Sequence, residues 1–298
     1  MAGKALCYGE LLWDIIDGKP YIGGAPFNLA GHAAKMGCNT WMLSRVGKDD
    51  LGRDTLQKVG EIGVHADFLQ IDEQRPTGTA IVSLDENKVP VYEFPDNVAY
   101  QYIDVDDSVI EKIRGQGIDL FYFGTLIQRN PVARRSVERI LEECSFPHVF
   151  LDVNIRFNFC DAEVLKNSFA HATIVKLNDD EVKLVGDKLY GCPDEIPLIQ
   201  SLFDDYGIQI ILVTKGKDGC TVYTRDRHED INECVSKAVD TVGAGDSFSA
   251  GFISAYLNGD EVFKAARKGN ILSDFVASSH GAIPEYTERL YNRLEAIR

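Results

Sequence analysis

Several functional classes are missing their signatures in this chain. Its 298 residues carry 31 Lys+Arg against 46 Asp+Glu, a formal net charge of −15. That shortage of positive charge argues against a protein that works on the phosphate backbone of nucleic acid or on an anionic membrane surface. No uncharged apolar run approaches the roughly 18–20 residues that span a bilayer. Near the N-terminus Glu10 and Asp14 break the apolar stretch, which does not read as a signal peptide. Cys7, Cys38, Cys144, Cys160, Cys192, Cys220 and Cys234 are odd in number and form no Cys-x-x-Cys, so reduced thiols in a cytoplasmic protein are expected. His32, His65, His148, His171, His228 and His280 show no zinc-ligand spacing. No Gly-Lys pair is followed by Ser or Thr, which excludes a Walker A loop, and no Gly-x-Ser-x-Gly elbow supports a serine hydrolase. What remains is an ordinary globular balance, 45% apolar and 26% charged, long enough to bury a core without staples.

Short apolar runs alternate with helical patterns. Strands are predicted at Ala5–Gly9, Thr40–Val46, Leu120–Phe123, Val149–Asn154, Thr173–Leu177, Gln209–Thr214, Thr221–Thr224 and Cys234–Val239. Helices are predicted at Phe27–Met36, Leu51–Gly60, Val132–Cys144, Glu195–Tyr206, Asp246–Leu257, Glu261–Ser278 and Tyr286–Ile297. Runs such as Ile210-Ile211-Leu212-Val213 lack polar alternation, as strands covered on both faces do. The pattern implies an α/β fold with a mostly parallel sheet, where ligands bind beyond the carboxyl ends of the strands. Thr79–Leu84 and Val89–Phe94 read instead as a β-hairpin around Asp85-Glu86-Asn87-Lys88. Two readings fit it equally: a lid or dimer contact, or an edge extension of the main sheet.

The most informative segment is Asp240-Thr241-Val242-Gly243-Ala244-Gly245-Asp246-Ser247-Phe248, which opens an amphipathic helix. Small residues there let a ligand reach the free N–H groups and positive dipole end of the helix, a natural anion seat. A dinucleotide fingerprint would need Gly where Phe248 stands. Asp246 alone is an ordinary first-turn acid. Beside a bound anion, however, a carboxylate costs Coulomb energy and makes sense as the group that orients and deprotonates an attacking hydroxyl.

This segment resembles the C-terminal signature D-T-x-G-A-G-D-x-F of the PfkB (ribokinase-like) carbohydrate kinases. Gly23-Gly24-Ala25-Pro26-Phe27-Asn28 matches a second signature, G-G-A-x-x-N, in the expected order. The resemblance runs from Tyr8 to Gly281, and Gly9-Glu10…Asp14 with Ala25-Pro26 is most similar to fructokinases. It implies a three-layer αβα ribokinase-like fold over residues 1–298, with a small β lid from about 12–22 and 75–103. It further implies a cytoplasmic enzyme that transfers the γ-phosphate of ATP, with Mg²⁺, to a primary hydroxyl, D-fructose being the first candidate. The alternatives are another sugar or nucleoside kinase of the family, or a catalytically silent sugar-binding regulator. A homodimer through the lid is expected.

Residue by residue, the resemblance implies Asp246 as base and the amides of Gly243, Ala244 and Gly245 as the phosphoryl seat. Asp14, Gly23, Gly24 and Asn28 would hold the sugar, and Arg156 in Asp152-Val153-Asn154-Ile155-Arg156 would contact substrate. The following Phe157-Asn158-Phe159-Cys160 departs from the Leu-Trp often found there. Asn178 and Glu181 match N-x-x-E, associated with magnesium through water, while Asn178 also reads as a helix N-cap. Thr214, Lys215, Gly216 and Gly219 resemble the nucleotide loop T-x-G-x-x-G; Lys215 would meet a phosphate or face solvent. Asn270 would lie near the adenine. Carbonyls of Asp240, Val242, Val276, Ser279 and Gly281 would form a K⁺ site, although Glu285 stands where Ser is common.

Overall fold

The computed structural model describes residues 2–84, 90–156 and 161–297. The first part of the chain forms β1 (Lys4–Tyr8), β2 (Leu12–Ile16), β3 (Lys19–Gly23), α1 (Ala25–Lys35), β4 (Asn39–Gly47), α2 (Asp50–Ile62), β5 (Leu69–Asp72), β6 (Gly78–Leu84) and β7 (Pro90–Glu93). Then come α3 (Asp107–Gln116), β8 (Leu120–Gly124), α4 (Pro131–Glu143), β9 (His148–Asp152), α5 (Ala162–His171), β10 (Ile174–Asn178) and α6 (Asp179–Tyr190). The last part forms α7 (Glu195–Asp205), β11 (Ile210–Thr214), β12 (Cys220–Tyr223), β13 (His228–Ile231), α8 (Ala244–Leu257), α9 (Val262–Ala277) and α10 (Glu288–Ala296).

A 9-stranded sheet has the order β13-β12-β11-β10-β9-β8-β1-β4-β5. It is parallel from β5 to β11, and β12 and β13 complete one edge antiparallel. Strand alternation splits its apolar residues between two cores. Leu6, Phe121, Leu151, Val175 and Ile211 face α3 to α7, while Ala5, Leu120, Phe150, Ile174 and Leu212 face α1, α8 and α9. Each large buried side chain contributes about 1.5–3 kcal/mol, and both cores are dense in Phe, Leu and Ile. The result is the three-layer αβα architecture. The α8–α9 contact is close enough that a Cβ on Gly251 would lie 2.9 Å from the Gly269 Cα, which fixes α8 firmly against its neighbour.

The hairpin belongs to a separate 4-stranded sheet, β3-β2-β6-β7, so the reading as an extension of the main sheet does not hold. β2 pairs antiparallel with β3 and parallel with β6, and β6 pairs antiparallel with β7. The turn Asp85–Lys88 and the segment Phe157–Cys160 lie outside the described residues.

Cys234–Val239 is not a strand. Its backbone is satisfied from α9: Val235 N and Ser236 N donate to Asp274 Oδ1 at 3.2 and 2.9 Å, and Val239 N to the Ala277 carbonyl at 2.7 Å. The edge strand is β13, whose sequence His-Glu-Asp-Ile gives no apolar signal because little of it is buried. The helices α3 and α5 have no counterpart among the predicted helices, while α6 starts at the N-cap expected of Asn178. Each starts on an Asp or Asn side-chain cap (Asp106, Asp161, Asn178). Among the described residues no helix is long and apolar enough to cross a membrane.

Candidate active site

β1 lies between β8 and β4, the point where successive connections run to opposite sides of the sheet. Crevices form beyond the strand ends at such a switch point. A cleft of about 690 Å³ opens there, lined by residues at or just beyond the ends of β1 (Glu10), β9 (Asn154, Arg156), β10 (Asn178) and β11 (Gly216), and by Asp246 at the start of α8.

The turn into α8 begins at Gly243, whose φ of 77° is left-handed and favours glycine; a Cβ there would also lie 2.9 Å from the Ala282 carbonyl oxygen. Gly243 and Gly245 line the cleft. Ala244 does not, and its N–H donates to the Thr241 carbonyl at 3.2 Å, closing the turn. Asp246, in the first helical turn, accepts a bond of 2.8 Å at Oδ2 from Asn28 Nδ2. The two signatures therefore meet in one hydrogen bond. Asn28 is buried on α1, and its Oδ1 has no hydrogen-bond partner, an acceptor left open beside the Asp246 carboxylate. Burial pushes the Asp246 carboxyl up to about 6, and Asp152 adds to the shift; Asn28, Lys176 and Arg156 hold it down.

Gly24 brings the β3–α1 turn onto β1: its φ is 105°, and a Cβ would collide with the Glu10 carbonyl oxygen. A Cβ on Gly23 would collide with the Asp14 carboxylate, so this glycine makes room for that side chain instead of lining the cleft. Asp14 sits on β2, directly across from Tyr21 on β3. Burial raises its carboxyl to about 6, with Asp246 adding and Arg156 opposing. Arg156 is exposed at the cleft wall.

At the other end, Asn178 caps α6, its Oδ1 accepting from Asp180 N and Glu181 N at 3.0 and 2.8 Å. Glu181 is buried and uses both oxygens on main chain, accepting from Ile155 N at 2.8 Å and Asn178 N at 2.9 Å. The capping box is thus complete, and Asp179 and Asp180 stand beside it in the cleft wall. No three acidic, His or Cys side chains converge into a metal cage among the described residues. A donor set this sparse suits an ion that keeps its waters and the phosphates of a nucleotide as ligands.

Thr214 and Gly216 reach the cleft, whereas Lys215, Gly219 and Asn270 do not. Lys215 Nζ bonds Glu195 at 3.1 Å and Thr221 at 2.8 Å, so it neither meets the cleft nor points freely into solvent. Gly219 closes the loop behind Gly216, its carbonyl accepting from Lys215 N at 2.8 Å. Asn270 is buried on α9 and accepts from Glu233 N at 2.6 Å, holding the connector after β13. The loops named for K⁺ are adjacent: Asp240 accepts from Val242 N at 3.0 Å and from Gly281 N at 3.2 Å. The Val276 carbonyl there accepts from Ser279 N at 2.9 Å, and Glu285 is exposed and pairs with Lys35.

Three cleft residues escaped sequence reasoning. Glu10 is buried and pushed up to about 7 by desolvation and by Asp246 and Asp152, although its own backbone N–H and Arg156 oppose the shift. Asn154 has a φ of 39°, a strained value for a non-glycine residue at the end of β9. Lys176 is buried on β10, its Nζ 2.9 Å from each Asp152 oxygen. Burial alone would lower its pKa; Asp152, Glu181 and Asp246 instead carry it above the usual lysine value. A lone Lys in the apolar run Ile174–Leu177 was the available signal.

A buried carboxylate beside a glycine turn at a helix N-terminus, with a separate capped-helix end across the cleft, is an arrangement able to serve phosphoryl transfer to an alcohol. The sequence pattern of the pfkB family carbohydrate kinases matches residues 4–289, and the chain belongs to that family. Among its relatives, an uncharacterized sugar kinase of Archaeoglobus fulgidus is 29% identical over 84% of this chain and 95% of its own length. An ATP-dependent 6-phosphofructokinase of Thermoanaerobacterium thermosaccharolyticum is 26% identical over 93% of this chain and 89% of its own. The fold is shared with a fructokinase of Vibrio cholerae O395, solved with fructose, ADP and calcium ion: TM-score 0.82, 22% identity, 98% of this chain and 99% of that one.

Proposed function

We propose that this sugar kinase transfers the γ-phosphate of ATP to a primary hydroxyl of an uncharged sugar, D-fructose giving fructose 6-phosphate. The observation that carries the reading is the Asn28–Asp246 bond of 2.8 Å, with the buried Asn28 Oδ1 left open beside it. Asn28 fixes the Asp246 carboxylate, Asp14 accepts a sugar O–H, and Asp246 orients the reacting hydroxyl and takes its proton. The resemblance to fructokinases at Gly9-Glu10…Asp14 supports fructose, as does the shared fold with the Vibrio cholerae enzyme. The carboxylates Glu10, Asp14 and Asp246 favour a neutral acceptor over a sugar phosphate, although Arg156 and Lys176 offset part of their charge.

The Gly243 and Gly245 amides and the dipole of α8 hold the transferring group, with Ala244 closing the turn behind them. Thr214 and Gly216 contact the nucleotide; Lys215, Gly219 and Asn270 shape its walls from behind. Asn178 and Glu181, with Asp179 and Asp180 nearby, would hold Mg²⁺ through water, and the ion would neutralise charge on the phosphates. K⁺ at the carbonyls of Asp240, Val242, Val276, Ser279 and Gly281 is proposed with the loops rearranged enough to free them.

The small sheet acts as the lid, excluding water from the transfer. Ile16 and Tyr21 share the Asp14 face of that sheet and are exposed at 37% and 51%, a surface suited to a second subunit of a cytoplasmic homodimer. Light scattering tests the dimer, and a monomeric mass rejects it.

ADP release across a panel of sugars, sugar phosphates and nucleosides with ATP and Mg²⁺ tests the acceptor. Turnover highest with fructose is expected. A preference for a nucleoside or a sugar phosphate overturns the fructose reading, and no ADP with any acceptor overturns the kinase reading in favour of a silent binder.

A further inference from the structure

Lys176 is a charge placed where a fold on its own gains nothing from it. It shares a strand face with Ile174, toward the α8 layer, and is only 6% exposed. Its Nζ lies 3.5 Å from the point where a side chain would begin at Gly245, beneath the first turn of α8. The dipole at a helix N-terminus opposes a cation there. Asp152, fully buried, takes two of the ammonium protons at 2.9 Å each, and Tyr122 OH and Ser249 Oγ approach the same carboxylate at 3.3 and 3.5 Å. A buried ion pair of this kind is commonly replaceable by apolar residues without loss of stability. An ammonium has three donors, and no described hydrogen bond uses the third, while Lys176 lines the cleft under the Gly243–Gly245 turn.

We infer that Lys176 is a further electrostatic residue of the reaction: held by Asp152, it stabilises the charge on the phosphoryl group as it passes over the Gly243–Gly245 turn. The inference rests on the reading of that turn as the transfer site. In the step, the bond from the γ-phosphorus to the β,γ-bridging oxygen breaks with its electron pair leaving on ADP. The bond to the sugar oxygen forms, and the sugar proton goes to Asp246. Lys176 keeps its protons throughout. Its contribution is greatest while charge spreads over the equatorial oxygens, so it acts on turnover more than on binding.

The test is the neutral pair Asp152→Asn with Lys176→Met. The melting temperature is expected to stay within a few degrees, while kcat falls about 10²–10³-fold, the usual loss for one preorganised donor. KM for sugar and ATP should change less than about threefold. Affinity for ADP with aluminium fluoride, a mimic of the transferring group, should fall with kcat while affinity for ADP alone holds. A folded double variant with near-normal kcat shows that the pair only holds the core together and overturns the inference. If the double variant melts far lower, Lys176→Gln keeps a donor toward Asp152 and is judged by the same two readouts. Asp246→Ala is measured alongside: substantial turnover in that variant means the transfer site itself is misplaced, whatever Lys176 does.

Discussion

The two ends of the cleft are built from different materials. At the end proposed for the acceptor the polar groups are side chains: Glu10 just after β1, Asp14 on β2, Asn28 on α1 and Asp246 on α8. At the end proposed for the nucleotide, the main chain of Gly243, Gly245 and Gly216 is joined by Thr214 and by an α6 N-terminus closed by its own capping box, with Asp179 and Asp180 beside it. A seat made of backbone is independent of side-chain identity, whereas a seat of carboxylates changes its ligand with one substitution. The burial of those carboxylates has an electrostatic cost, visible as the raised acids Glu10, Asp14 and Asp246. At the other end burial raises Glu181 too, with Lys176 and the Asn178 and Ile155 amides opposing, whereas Asp179 and Asp180 stand in the first turn of α6 where the dipole favours them.

The sharpest break in that contrast is Asp246→Ala. Turnover should fall about 10²–10⁴-fold, the range for a lost general base, with ATP affinity by calorimetry nearly unchanged; equal losses in both would merge the two ends. Next, Asp14→Ala should raise KM for the sugar about 10-fold or more, since a charged hydrogen bond contributes ~1.5–3 kcal/mol, and leave KM for ATP alone. Third, kcat/KM should decline as pH drops below about 6, the value to which Asp246 is raised. Arg156→Met should move that limb to higher pH, because Arg156 lowers both Asp14 and Asp246.

Stability should run the other way. An acid raised on folding binds its proton more tightly in the native state, so its ionisation weakens the fold between its unfolded value near 3.8 and about 6, and the full penalty stands above that. Asp246→Asn should therefore raise the melting temperature at pH 8, and the gain should shrink to about half at pH 5 and vanish only below about pH 3.8. A gain that is constant with pH refutes the buried-charge account. The smallest effect belongs to the nucleotide end: Thr214→Val should raise KM for ATP only a few-fold, as for one neutral hydrogen bond, without touching KM for the sugar.

The parallel strands could be read from runs such as Ile210–Val213, because burial on both faces leaves no polar alternation to obscure them. Asp246 and Asn28 were also legible as cleft residues, because small residues lead into α8 and α1 at Gly243–Gly245 and Gly23–Ala25. β13 and the connector Cys234–Val239 were exchanged in the reading because apolar content, not hydrogen bonding, was the guide. The connector is apolar yet exposed, with Val235 at 72%, and is held by Asp274 and Ala277. Lys215 was misleading for a related reason: its partner Glu195 lies on α7, far away in sequence. Glu10 and Lys176 required the fold, since nothing local says that a charge within an apolar run will open onto a cleft.

β1 runs through Gly9-Glu10-Leu11 straight into β2, so one short stretch of chain leaves the main sheet and enters the small one. Asp14 thereby belongs to the small sheet, and Asp246 to the body of the molecule. On the proposed reading, a hexose long enough to touch both would tie the small sheet to the body, and a triose reaching only the Asp246 side would leave it untethered.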